Sequence, residues 1–158
     1  HAPASGMISV FNRSQYEDII AVKVKKIFPE SVWSKRYRHI IEFERMLAEE
    51  GTKIVKIFLH ISKDEQKERL QARLDEPSKN WKFNPGDLDD RARWDEFMAE
   101  YENILEKTST DHAPWYIIPA DRKWYRNLIV SQIIIDALKS LDMKYPEIDW
   151  DPATMQIE

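Results

Sequence analysis

Three clusters of polar residues in this chain have the types and spacing to meet a phosphate. The first lies in VFNRSQYED, residues 10–18, where a short apolar run stops at Asn12, Arg13 and Ser14 and a helix begins. Polar groups at the carboxyl end of a buried strand sit where α/β domains meet their ligands. Glu17 and Asp18 either contact a metal or a base or simply favour the helix amino terminus, and Asn12 and Ser14 can equally serve as turn caps. The second cluster is PADRKWYRN, residues 119–127, where Asp121, Arg122, Lys123 and Arg126 follow directly on an apolar run. The free amide groups of a helix start favour anions, and Arg122 or Lys123 adds positive charge; the plainer alternative is that Asp121 caps the helix and the bases face water.

The third cluster surrounds residues 75–93: Arg69 and Arg73 share a helix face, Lys79 and Lys82 flank Trp81, and Arg91 and Arg93 follow. Such an arm suits a lid over phosphates, because phosphoryl transfer needs positive charge aimed at developing negative charge with water excluded. The alternative is a helix-loop-helix whose charges are solvated. His39, His60 and His112 have no metal-ligand spacing and read as structural. Trp33, Trp94, Trp115 and Trp124 read mostly as core, while Trp81 falls on the arm.

These clusters need elements to hold them. Met7 to Phe11 reads as a short buried strand and Ser14 to Lys26 as the helix after it. A helix from Trp33 ends at Gly51, where a left-handed cap belongs. KIVKIFLHIS carries a nearly continuous apolar run, the pattern of a strand covered on both faces, and Ser62 with Glu65 forms a capping box opening the helix Lys63 to Leu74. The stretch 75–90 holds two prolines, a glycine and no apolar period, so it reads as a long excursion; Asp87 can cap the next helix, whose stripe is Trp94, Phe97, Met98, Tyr101, Ile104 and Leu105. Trp115 to Ala120 is a third strand, and a last helix from Asp121 has apolar content broad enough to dock on a sheet. Three strands alternating with helices predict a parallel α/β sheet with helices on both faces, and further strands are expected upstream of His1.

Bulk properties narrow the function. With 158 residues, 42% apolar and 33% charged, the chain has the size and composition of one folded domain. The absence of cysteine excludes disulfides and thiolate metal sites and agrees with a cytoplasmic location. No apolar run is long enough to cross a bilayer, so no membrane partner is expected. A net charge of -4 argues against nucleic acid as a partner.

Taken in order, FNRSQYE, HISKDEQKERLQARLDEPSKNWKF, DRARWDEF and APWYIIPADRKWYRN closely resemble the second family of polyphosphate kinases, from His1 to about Leu141. The resemblance implies a P-loop kinase fold, a Mg2+ cofactor, a helical lid at about 75–93 and a domain over 1–144; the proline- and acid-containing stretch 145–158 reads as an irregular tail. It implies reversible transfer of a terminal phosphoryl group between inorganic polyphosphate and a nucleoside mono- or diphosphate such as AMP or ADP, in a protein that forms homo-oligomers. Asn12 and Arg13 match the Walker B position, with Arg122 as a third catalytic candidate. Glu17 matches a position facing the acceptor nucleotide, Arg73, Arg122 and Lys123 match positions near the phosphates, and Lys79 and Lys82 fall in the matching lid module, where they are expected to bind phosphates.

The family's phosphate loop, G-x-x-x-x-G-K, does not occur here, where the glycines are Gly6, Gly51 and Gly86. The stretch therefore reads as the carboxyl-terminal two-thirds of such an enzyme. No protein metal ligand is assigned, and no catalysis is expected from this stretch alone. The competing readings are a catalytically dead module for polyphosphate binding or assembly, and a nucleotide kinase that uses ATP as donor.

Overall fold

The computed structural model describes residues 2–149. Six α-helices and two strands follow one another as α1 (Glu17–Val24), α2 (Glu30–Glu49), β1 (Lys56–His60), α3 (Lys63–Asp75), a 3-10 helix (Pro77–Lys82), α4 (Gly86–Ala92), α5 (Trp94–Thr108), β2 (Trp115–Pro119) and α6 (Lys123–Lys139). The strands pair in parallel, Lys56 opposite Trp115 through His60 opposite Pro119, so their carboxyl ends share one edge. This is the expected α/β class, with a two-stranded sheet among the described residues.

Local chemistry sets the element ends. Gly51 takes φ +85°, its N–H donates to the Ala48 carbonyl and the Thr52 N–H to the Leu47 carbonyl, which closes α2 with the expected left-handed cap. Ser62 Oγ accepts from the Glu65 N–H at 3.1 Å and starts α3. At the other end of α3, the Asn80 side chain donates to the carbonyls of Arg73 and Leu74, satisfying two acceptors that the helix leaves open.

The core lies where α1, α2 and α5 meet the sheet. Tyr16, Ile19, Ile20, Ile40 and Ile104 are buried together, with Tyr37, Phe97, Tyr101 and Trp115 packed against them. Each fully buried isoleucine contributes roughly 1.5–3 kcal/mol. Four apolar residues of the short helix α1, Ile19, Ile20, Val22 and Val24, are buried, so α1 is held by packing rather than by its own length.

Several expectations are corrected. Residues 7–11 form no strand: Met7 and Val10 are 67% and 90% exposed. A strand exists only by pairing, and no described strand lies beside this segment. The helix expected over Ser14 to Lys26 is confined to Glu17–Val24: the Ser14 and Gln15 carbonyls accept from N–H groups three residues on, as in turns, and Lys26 at φ +54° ends helical backbone on the other side. The helix expected from Trp33 already starts at Glu30, just after Pro29. The excursion after α3 carries two short helices, the 3-10 helix Pro77–Lys82 and α4, where the sequence pattern shows no apolar period.

Asp87 lies inside α4 and pairs with Arg73 instead of capping α5. Helix α6 contacts β2 as expected but buries no residue fully, and Trp124 is 64% exposed rather than core. Residues 145–149 have no regular structure; the rest of the expected tail lies outside the described residues.

Candidate active site

Parallel pairing brings the ends of β1 and β2 to one edge, and the chain stitches that edge together. The Ala120 N–H donates to the His60 carbonyl at 2.7 Å, extending the ladder by one residue. Asp121 Oδ1 accepts from the Ser62 N–H at 2.8 Å, so it ties the end of β2 to the start of α3 and does not cap α6. Arg69 bonds the Glu65 carboxylate at 2.7 Å and the Ala120 carbonyl at 2.8 Å, which binds α3 to the same edge.

The Ser62 N–H holds the Asp121 carboxyl below the usual carboxylate range, with lesser help from Arg69 and His60. A carboxyl that titrates lower when folded stabilises the fold fully above its ordinary value of about 3.9, and this contribution disappears as pH falls through the lowered folded value. Asp121→Asn is therefore expected to lose stability near neutral pH and to converge on the parent protein once the pH has fallen below the lowered folded value, measured by urea denaturation across pH.

Arg122 occupies the position before α6, and its side chain makes no capping bond. Arg122 and Lys123 are exposed at the sheet's carboxyl edge, beside the free amides of the first turn of α6. The cluster read from PADRKWYRN therefore stands at a position able to receive an anion.

Asn12, Arg13 and Glu17 lie on an exposed corner leading into α1. Arg13 and Glu17 approach to 3.5 Å with their side chains 79% and 47% exposed. Both act on Tyr101: burial raises its hydroxyl, the Glu17 carboxylate raises it further, and Arg13 opposes them. Tyr101 packs on Phe58 with ring centroids 4.8 Å apart, and Phe58 stacks on His60 at 5.8 Å. This aromatic row runs from Tyr101 on α5 to His60 at the end of β1.

The bases of the 75–93 stretch, expected as a lid, are engaged locally. Arg73 pairs with Asp87 at 3.1 Å, Lys79 with Glu76 at 2.6 Å, and Lys82 lies over the Trp81 ring at 5.1 Å. Arg91 donates to the Lys63 carbonyl and to Gln66, seating α4 on the first turn of α3, and Lys25 pairs with Asp90 at 2.8 Å. Arg93 donates to the Val24 carbonyl, which closes the end of α1. Residues 90–93 are thus tied to α1 and α3, while Arg73, Lys79 and Lys82 have protein partners of their own rather than contacts with Arg122.

A charged network in the core was not anticipated. Lys56 Nζ donates to Glu44 Oε2 at 2.8 Å, to Tyr16 Oη at 3.0 Å and to the Thr108 carbonyl at 2.7 Å, and Tyr16 Oη donates to Glu44 Oε1 at 2.7 Å. Glu44 and Lys56 are only 2% and 7% exposed. Burial lowers the Lys56 ammonium, against which the Glu44 carboxylate works, and burial raises the Tyr16 hydroxyl. The signal was present in the sequence: Lys56 interrupts the apolar run Ile54, Val55, Ile57, Phe58, and Glu44 is one turn from Ile40 on its buried face. His60, read as merely structural, belongs to the aromatic row at the edge.

A sequence model of the family Polyphosphate kinase 2 (PPK2) matches residues 1–146. The chain belongs to the polyphosphate kinase 2 family. It is 58% identical over 145 residues to the AMP/ADP-polyphosphate phosphotransferase of Meiothermus ruber, covering 92% of this chain and 54% of the relative. The ADP-polyphosphate phosphotransferase of Rhodopseudomonas palustris is 48% identical over 157 residues, with 92% and 54% covered. The crystal structure of polyphosphate kinase 2 from Arthrobacter aurescens TC1 superposes with a TM-score of 0.91 at 50% identity, covering 96% of this chain and 54% of that one. The chain thus spans about half the length of these polyphosphate kinase 2 relatives, and its fold is theirs over that half.

The described residues do not form a magnesium site on their own. No three or more His, Asp or Glu side chains among them converge closely enough to hold a metal ion. At the corner Asn12 is neutral and Glu17 is engaged by Arg13, whereas magnesium prefers carboxylate and phosphate oxygens.

Proposed function

We propose that the protein carrying these residues transfers a terminal phosphoryl group between inorganic polyphosphate and a nucleoside mono- or diphosphate. The observation that carries this reading is the placement of Arg122 and Lys123 at the common carboxyl edge of both strands, beside the open first turn of α6. A polyanion is held by such an edge even when the protein is acidic overall, because the local field and not the net charge governs encounter. The names of the Meiothermus ruber and Rhodopseudomonas palustris relatives agree with this substrate pair.

In this reading Arg122 and Arg13 direct positive charge at the transferring phosphoryl group, with Asn12 donating to a phosphate oxygen. Glu17 faces the acceptor nucleotide. Lys123 binds polyphosphate at the edge, and Arg73, Lys79 and Lys82 exchange their protein carboxylate and aromatic partners for phosphates as the lid closes. Magnesium, where the enzyme uses it, enters with the phosphates whose charge it offsets. The site works in the cytoplasm, and exposed apolar residues of α6 such as Leu128 and Ile134 suit a homo-oligomer.

The test is a comparison of donors. The full-length protein is assayed with AMP or ADP as acceptor and either polyphosphate or ATP as donor. Turnover with polyphosphate well above that with ATP is expected; the reverse preference would replace this reading by an ordinary nucleotide kinase.

A further inference from the structure

The buried Tyr16–Glu44–Lys56 network lies directly beneath the corner that carries Asn12, Arg13 and Glu17. Glu44 on α2 takes the Tyr16 hydroxyl at 2.7 Å and the Gln15 amide at 3.5 Å, while Lys56 on β1 holds Glu44 and Tyr16 together. Tyr16 is 3% exposed, and Arg13 and Glu17 on either side of it face solvent. The Tyr16 carbonyl accepts from the N–H groups of both Ile19 and Ile20, so fixing Tyr16 also fixes the first turn of α1.

Stability alone is a poor reason for such a network. Desolvating two charges costs as much as their attraction returns, and apolar residues of similar volume commonly do as well. What an apolar core would not provide is direction: hydrogen bonds fix one orientation and spacing, while apolar contact tolerates several. The corner needs that direction, because Arg13 stands at φ +81°, a backbone region that is unfavourable for a residue with a side chain.

We infer that Tyr16, Glu44 and Lys56 form a positioning clamp that sets the Arg13–Glu17 corner toward the acceptor nucleotide, linking the sheet and α2 to the reacting groups without touching substrate. The inference rests on the function proposed above. Tyr16→Phe is the selective probe, since it removes both hydroxyl bonds and keeps the ring that meets Trp115 at 4.9 Å.

In full-length protein, amide hydrogen exchange over residues 12–19 of the variant is expected to speed up on the order of tenfold, with α5 unchanged. The KM for the acceptor nucleotide is expected to rise roughly tenfold, with the KM for polyphosphate within about twofold of the parent. Unchanged exchange at the corner, or both KM values moving together, would overturn the clamp. If the parent protein transfers no phosphoryl group at all, the proposed function fails instead, and the exchange result still decides the clamp.

Discussion

Lys56→Met is expected to lower the stability of the folded protein by about 3–5 kcal/mol, the loss that follows when one partner of a buried ion pair is removed. Three groups depend on that ammonium: Glu44 Oε2, Tyr16 Oη and the Thr108 carbonyl. None of them has ready access to water, because Glu44, Tyr16 and Thr108 are all buried. The thermal midpoint should fall by roughly 6–20 °C for a domain of this size.

The second half of that experiment separates burial of an orphan charge from loss of packing. Adding Glu44→Leu to Lys56→Met removes both charges, and the double variant should recover a large part of the single variant's loss. A single-variant loss below about 1 kcal/mol would mean that the pair behaves like a solvated surface pair.

Arg122→Ala is expected to reduce turnover in the full-length protein on the order of a hundredfold, the scale of losing one charge-stabilising donor at a transition state. On the proposed function, Lys123→Ala should act mainly on the KM for polyphosphate, since there a lysine at the rim of the edge would bind the chain without touching the transferred group. Neither change should move the melting temperature measurably, because both side chains are exposed and make no hydrogen bond or ion pair among the described residues. Arg73→Ala is different in kind: it breaks the ion pair with Asp87 and so loosens the lid before any substrate arrives. Steady-state kinetics of the three variants separates these roles. Near-parental turnover in Arg122→Ala would remove that residue from the reacting centre.

The sequence was most informative where one element's chemistry stands alone. Ser62 and Glu65 announced the start of α3, Gly51 announced the end of α2, and the apolar run around Ile57 announced a parallel strand, because each depends on neighbours within a few residues. Residues 7–11 carry an equally apolar pattern and form no strand, since pairing requires a neighbour that no local pattern supplies. Asp121 failed for a related reason: a carboxylate after a strand can cap its own helix or reach a distant N–H, and here Ser62, far off in sequence, takes it.

Of the candidate site, the position of Arg122 and Lys123 at the carboxyl edge of the sheet followed from parallel topology, whereas Arg13 and Glu17 lie on a corner that no described strand carries to that edge. The pairing of Arg73 and Lys79 with acidic neighbours was not legible, because charges in an arm read alike whether they face water, phosphate or each other. In the Tyr16–Glu44–Lys56 network, the lysine inside an apolar run and the glutamate on a buried helix face were local signals, but their pairing joins separate elements and no short spacing predicts it.

The most direct measurement follows the phosphorus itself. Polyphosphate labelled with radioactive phosphorus at its terminal group is mixed with the full-length protein and AMP or ADP, and the products are separated. The label is expected in the nucleotide, at a rate that falls with Arg122→Ala. Label released as inorganic phosphate, or retained on intact polyphosphate that only binds the protein, would contradict phosphoryl transfer at this edge.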